Sequence, residues 1–146
     1  MSGKFRRLAD EEIEAIVREA RVVGVLGMKD ASRAIEPAYR IPLVLQDRGM
    51  RVIAINPKVL GSLPQVAALT ERVDILDVFR RASNVDAHAD EILAMSDALR
   101  PPVVWLQTGI VNEDAAERLA AHDIRVVMDE CLGVWAARVR QRKVSV

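Results

Sequence analysis

The residues able to do chemistry fall in short stretches suited to holding an anion. The first is Gly24-Val-Leu-Gly-Met-Lys-Asp-Ala-Ser-Arg33. Gly27 permits a sharp turn and a close approach of ligand to backbone. Around Met28, the side chains of Lys29, Ser32 and Arg33 add an ammonium, a hydroxyl and a guanidinium to the same loop. A helix starting beyond it would aim free N–H groups at phosphate oxygens. The spacing is Gly-x-x-Gly, short of the full dinucleotide fingerprint G-x-G-x-x-G. The second stretch is Asn56-Pro57-Lys58. NAD-binding domains place an acid at this point to accept from the ribose hydroxyls. An amide followed by a cation attracts a ribose phosphate instead, as carried by coenzyme A (CoA) and NADP.

Two further stretches close the set. Phe79-Arg80 offers an aromatic wall and a cation, and Arg81 is expected to point the other way because neighbours on a strand alternate. Gln107 and Gly109 offer an amide and a backbone that a ligand can approach. Trp105 is expected in the core, and Cys131 as a small buried apolar residue. Asp74 and Asp77, three apart on a strand, face opposite ways and make no carboxylate pair; Asp77 is expected to cap a turn or orient Arg80. His88 and His122 lack a metal-ligand spacing. No Ser-His-Asp set, Cys-His pair or P-loop can be assembled, so no catalytic residue and no metal ligand is assigned.

These stretches need elements that bring them to one edge. Leu8–Ala20 reads as an amphipathic helix with Asp10 as N-cap and Ile13, Ile16 and Val17 inward. Strands are expected at Val22–Leu26, Arg51–Ile55, Val73–Phe79, Val103–Leu106 and Arg125–Met128. Helices are expected at Pro37–Arg48 (stopped by Gly49), Val85–Met95, Glu113–His122 and Leu132–Arg142, with a short helical piece at Gln65–Leu69. Five strands without polar alternation, separated by helices, predict an α/β fold: a Rossmann-like doubly wound parallel sheet with helices on both faces. The expected strand order is 3-2-1-4-5. The whole chain, residues 1–146, reads as a single domain, with residues 1–20 as an N-terminal helix and 132–146 as a C-terminal tail. Ligands of such sheets sit beyond the carboxyl ends of the strands, where the order reverses.

Composition narrows the partners. Lys plus Arg and Asp plus Glu both number 21, so the net charge is zero, which argues against a general nucleic-acid binder. One cysteine allows no internal disulfide and fits a reducing compartment. The basic, polar Met1–Arg7 has no apolar run behind it, and no run approaches the ~20 residues of a membrane span. The expectation is a soluble cytoplasmic protein, not bound to membranes. A homodimer is the default assembly.

Taken in order, Val25-Leu-Gly27 with Ser32-Arg33, Val52-Ile-Ala-Ile-Asn-Pro57, Val73-Asp-Ile-Leu-Asp-Val-Phe-Arg80, Val104-Trp-Leu-Gln-Thr-Gly-Ile110, Glu113-Asp-Ala-Ala116 and Val126-Val-Met-Asp-Glu-Cys131 resemble the small stand-alone CoA-binding domain proteins. Their fold is similar to that of the CoA-binding domain of the succinyl-CoA synthetase alpha subunit, and the likeness runs from about Ile13 to Arg138. It implies that the CoA phosphates meet the Gly27–Arg33 loop and the adenosine lies near Asn56, Pro57 and Lys58. The pantetheine arm would pass Phe79-Arg80 and Gln107-Thr-Gly109. It also implies a basic residue where this chain has Glu130. The function expected is binding of CoA or an acyl-CoA by a carrier, sensor or accessory protein, more a binding module than an enzyme. The alternatives are an NADP-linked oxidoreductase, or the CoA-binding part of an acyl-CoA ligase or transferase that works with a partner subunit.

Overall fold

β1 (Val22–Leu26) and β3 (Ile75–Val78) are buried almost throughout, which requires strands on both sides and helices on both faces. The computed structural model, which describes residues 5–142, sets them side by side in one five-stranded parallel sheet. β2 (Arg51–Ile55) pairs with the outer side of β1. β4 (Val103–Leu106) follows β3, and β5 (Arg125–Val127) closes the far edge.

The pleat sends alternate side chains to two cores. Val23, Val25, Ile75 and Trp105 meet α1 (Asp10–Glu19), α2 (Pro37–Asp47) and α5 (Leu132–Val139) through Ile13, Val17, Leu45 and Leu132. Leu76, Val78, Val104 and Leu106 meet α3 (Val85–Ala94), α4 (Glu113–Ala120) and a 3-10 turn at Val66–Ala68. The doubly wound α/β fold is as the sequence predicts.

The strand order is not. It runs β2-β1-β3-β4-β5 in place of 3-2-1-4-5. β2 opens on exposed Arg51 and stays half-exposed through Ala54, whereas all positions of β3 are buried. An edge position leaves the charged Arg51 of β2 in water, where it pairs with Glu71, and the centre goes to β3. The chain therefore reverses between β1 and β3, and the crevice at the switch point opens above those two strands.

Element ends shift by a few residues. The first helix begins at Asp10 with Ala9, not Asp10, in the capping position; Glu12 accepts from the Ala9 N–H at 3.0 Å. Residues 1–4 of the N-terminal segment and 143–146 of the tail lie outside the described residues.

Three helices on one face are tied by two arginines. Arg140 donates from Nη1 to the carbonyls of Val17, Arg18 and Ala20 at 3.1, 2.8 and 2.9 Å, and from Nε to Arg48 O at 2.8 Å. Arg48 returns two bonds, to Ala137 O and Arg140 O at 2.9 and 2.7 Å. The last carbonyls of α1 and α5, which no helix can satisfy internally, thus find charged donors. No helix among the described residues is long and apolar enough to cross a membrane.

Candidate functional site

Gly27 ends β1 with φ +88°, a conformation that favours glycine. Its N–H donates to Ile55 O at 2.8 Å, and the Phe79 N–H donates to Leu26 O at 2.8 Å, so the ends of β1, β2 and β3 are locked together. Asn56 adds a strut. Its Nδ2 donates to Met28 O at 2.9 Å and its Oδ1 accepts from the Lys58 N–H at 3.0 Å.

The loop after Gly27 is anchored by a proline. Pro42 lies inside α2 and has no N–H, so the carbonyl four residues earlier, on Ala38, has no helical donor. That carbonyl accepts from the Lys29 N–H at 3.0 Å. A defect in the helix thereby holds the residue that carries the loop's first cation.

Between α2 and the ends of β3 and β4 lies a crevice of about 450 Å³. Lys29 and Arg80 bring cations to it and Glu36 an acid; Ile41, Phe79, Ile110 and Cys131 give it apolar walls, and Gln107 and Thr108 border it too. Arg80 Nε is buried and has no partner, and it would stand 3.3 Å from a β-carbon on Gly27. An unpaired buried guanidinium N–H calls for an acceptor, and a phosphate oxygen supplies one with a charge of the right sign. A second hollow, of about 470 Å³, lies at the amino ends of the strands between Arg72, Arg100 and His122. That is the wrong end of the sheet for a ligand of this fold.

Residues 21–137 match the family described as the CoA binding domain. The chain belongs to the CoA-binding domain family. An uncharacterized protein of Bacillus subtilis (strain 168), YneT, is 34% identical over 128 residues, which are 84% of this chain and 90% of that one. A solved Thermus thermophilus structure is 36% identical, with a TM-score of 0.80 over 90% of this chain and 99% of that one. A hypothetical protein from Pyrococcus horikoshii OT3 shares the fold at 20% identity, with a TM-score of 0.77 over 94% of this chain and 98% of that one.

Within this CoA-binding domain, the residues singled out in the sequence divide into groups. Lys29, Phe79, Arg80 and Gln107 line the crevice, and Gly27 lies against the Phe79–Arg80 backbone. Met28 and Asn56 hold each other, with Asn56 only 1% exposed. Pro57 and Lys58 stand exposed at the end of β2. Ser32 and Arg33 are exposed on a 3-10 turn at Ala31–Arg33 and engaged locally, Ser32 by Asp30 and Arg33 by Glu36 at 3.3 Å. Those bonds from Ser32 hold the Asp30 carboxyl below its ordinary range. Gly109, at φ +85°, donates its N–H to Asp129 Oδ1 at 2.6 Å, away from the crevice wall.

Other expectations are corrected. Cys131 is half-buried with a free thiol on the crevice wall, because it precedes α5 at the mouth of the site. Asp77 neither caps a turn nor orients Arg80; its Oδ1 accepts from Gln107 Nε2 at 2.7 Å. Burial pushes the Asp77 carboxyl up to about 8, opposed in part by that bond. Glu130, standing where the resemblance implies a cation, faces elsewhere, accepting from Trp135 Nε1 at 2.8 Å and pairing with Arg7. Trp105 is core, as expected, with its indole N–H on Glu130 O at 2.8 Å. Thr108 and Ile110, both within the quoted Val104–Ile110 stretch, join the wall, and Glu36 and Ile41 join it without any advance signal. Among the described residues, no group of three or more His, Cys, Asp or Glu is placed to hold a metal ion.

Proposed function

We propose that this domain binds CoA, free or acylated, in the crevice between α2 and the ends of β3 and β4, beside the β1–β3 switch point, and that it serves as a carrier, sensor or accessory protein. The observation that carries the reading is the buried, unpartnered Arg80 Nε beside Gly27, with Lys29 on the same wall. Two cations and a close-approach glycine suit the pyrophosphate. The apolar stretch of Ile41, Phe79, Ile110 and Cys131 suits the largely aliphatic pantetheine arm. Lys58, exposed at the end of β2, is the cation for the ribose phosphate. Among the described residues no pairing of nucleophile and base accompanies these groups, which favours binding over catalysis.

Calorimetric titration with CoA, acetyl-CoA, NADP and NAD tests this. CoA or acetyl-CoA is expected to bind at least tenfold tighter than either nicotinamide nucleotide, with Arg80→Ala weakening it about tenfold. A preference for NADP would move the reading to redox chemistry. Absence of binding by all of them would remove it.

A further inference from the structure

Just beyond β5 the chain takes a conformation that costs it something. Asp129 has a φ of +57°, in the left-handed region, which is uncommon for any residue with a β-carbon and least costly for Asp and Asn. Its carboxyl meets the loop that leaves β4, where the Gly109 N–H donates to Asp129 Oδ1 at 2.6 Å. Gly109, itself at φ +85°, stands in the tight turn Gln107–Ile110, closed by the Ile110 N–H donating to Gln107 O at 2.9 Å. The base of this turn is fastened through Gln107 Nε2, which donates to Asp77. The tip depends on Asp129: among the described residues, that bond is the one hydrogen bond tying Thr108 or Gly109 to the rest of the protein. Both Gly109 and Asp129 are exposed, so water would satisfy either one without the other. The effect of the bond is therefore to hold the tip in place. Asp129 does not line the crevice, whereas Gln107, Thr108 and Ile110 do.

We propose that Asp129 is a positioning residue which, through the Gly109 N–H, holds the Gln107–Ile110 turn in the shape that the pantetheine arm binds. This rests on the CoA reading and deepens it. With the bond in place the turn meets the ligand already ordered. Without it, the tip must be ordered at the moment of binding, at a cost in affinity. Strain at a residue outside the site thus serves the wall of the site. The Gly109 N–H is taken by Asp129, so Gly109 acts as the anchored point of the turn and not as a donor to the ligand.

Three variants separate the acceptor from the backbone. Asp129→Asn keeps an oxygen acceptor and a residue that tolerates the left-handed region. Asp129→Gly removes the acceptor and relieves the backbone, while Asp129→Ala removes the acceptor and keeps the strain, so the glycine variant should melt at the higher temperature of the two. CoA and adenosine 3′,5′-bisphosphate, which has no pantetheine, are titrated by calorimetry against wild type and all three. Asp129→Gly and Asp129→Ala are each expected to weaken CoA about three- to fivefold, with the bisphosphate changed less than twofold. Asp129→Asn should bind both ligands within twofold of wild type. Equal losses of CoA affinity in two variants of unequal stability would assign the effect to the acceptor, since a merely structural role would make binding follow stability. An unchanged CoA affinity in Asp129→Gly, equal losses for both ligands, an Asp129→Asn variant as weak as Asp129→Gly, or a loss confined to Asp129→Ala would overturn the positioning role. Asp129→Gly and Asp129→Asn carry the test if Asp129→Ala does not fold. A wild-type protein that binds neither ligand would overturn the CoA reading and this inference with it, which separates the two failures.

Discussion

The carbonyl oxygen of Phe79 stands 2.5 Å from the point a β-carbon on Gly27 would occupy. The end of β3 therefore rests on the turn that ends β1, and the two form the floor of the switch point. This contact exists only because β3, and not β4, is the neighbour of β1.

Gly27→Ala should in consequence be severe. The side chain meets backbone, which cannot swing aside, and a φ of +88° is strained for alanine as well. The loss expected in urea unfolding is roughly 2–4 kcal/mol. Gly61, at the same φ but with nothing near its β-carbon, separates the two causes: Gly61→Ala should show the strain alone, about 1–2 kcal/mol.

The alternation of apolar strands and helices was legible in the sequence because period and punctuation are local. Strand order was not, since it depends on a comparison between β2 and β3 that matters only once both compete for the central place. The stretches at Gly27, Phe79 and Gln107 were legible as site candidates because glycine, aromatic and amide residues at strand ends have local meaning. The use of Asn56 was harder to see. Its amide is satisfied by Met28 O and the Lys58 N–H, and both partners depend on how two strand ends meet. Pro42 carried a signal, a proline within a helical pattern, whose consequence appears only where the Ala38 carbonyl finds Lys29.

Stability should fall with rising pH because of Asp77. Its carboxyl is raised to about 8 in the folded protein, above the ordinary value near 4 in the unfolded chain. Between those values the folded state holds a proton that the unfolded state has lost. The favourable contribution of the neutral acid is complete below about pH 4 and is lost as pH climbs through about 8. The slope from this group approaches about 1.4 kcal/mol per pH unit. Asp77→Asn has nothing to titrate, so the difference in stability between the two proteins, measured by urea unfolding from pH 4 to pH 9, should widen in favour of the variant. Parallel curves would show that Asp77 is ionised throughout.

Lys58 and Arg80 should read different parts of the ligand. Lys58→Ala is expected to weaken CoA two- to fivefold, in keeping with an exposed ion pair, and to leave dephospho-CoA unchanged. Arg80→Ala should weaken both by about tenfold, since the contact proposed for its buried N–H is with a group the two ligands share. Identical profiles for the two variants would place the ribose phosphate elsewhere.

Pro42→Ala should separate stability from binding. Alanine restores an N–H at a position where proline is about 3 kcal/mol less favourable in an unconstrained helix, and it removes the ring that crowds the Ala38 carbonyl. Pro42 is buried and shaped to its site, so part of that gain is offset by lost packing, and the net change expected is between zero and about 1 kcal/mol in favour of the variant. The restored N–H then competes with Lys29 for Ala38 O. With its anchor weakened, the loop carrying Lys29 must be ordered by the ligand at the moment of binding, and CoA affinity should fall several-fold. A variant that is less stable and binds CoA as the parent does would mean that Pro42 serves packing, and that the loop is held by Asn56 and Met28 alone.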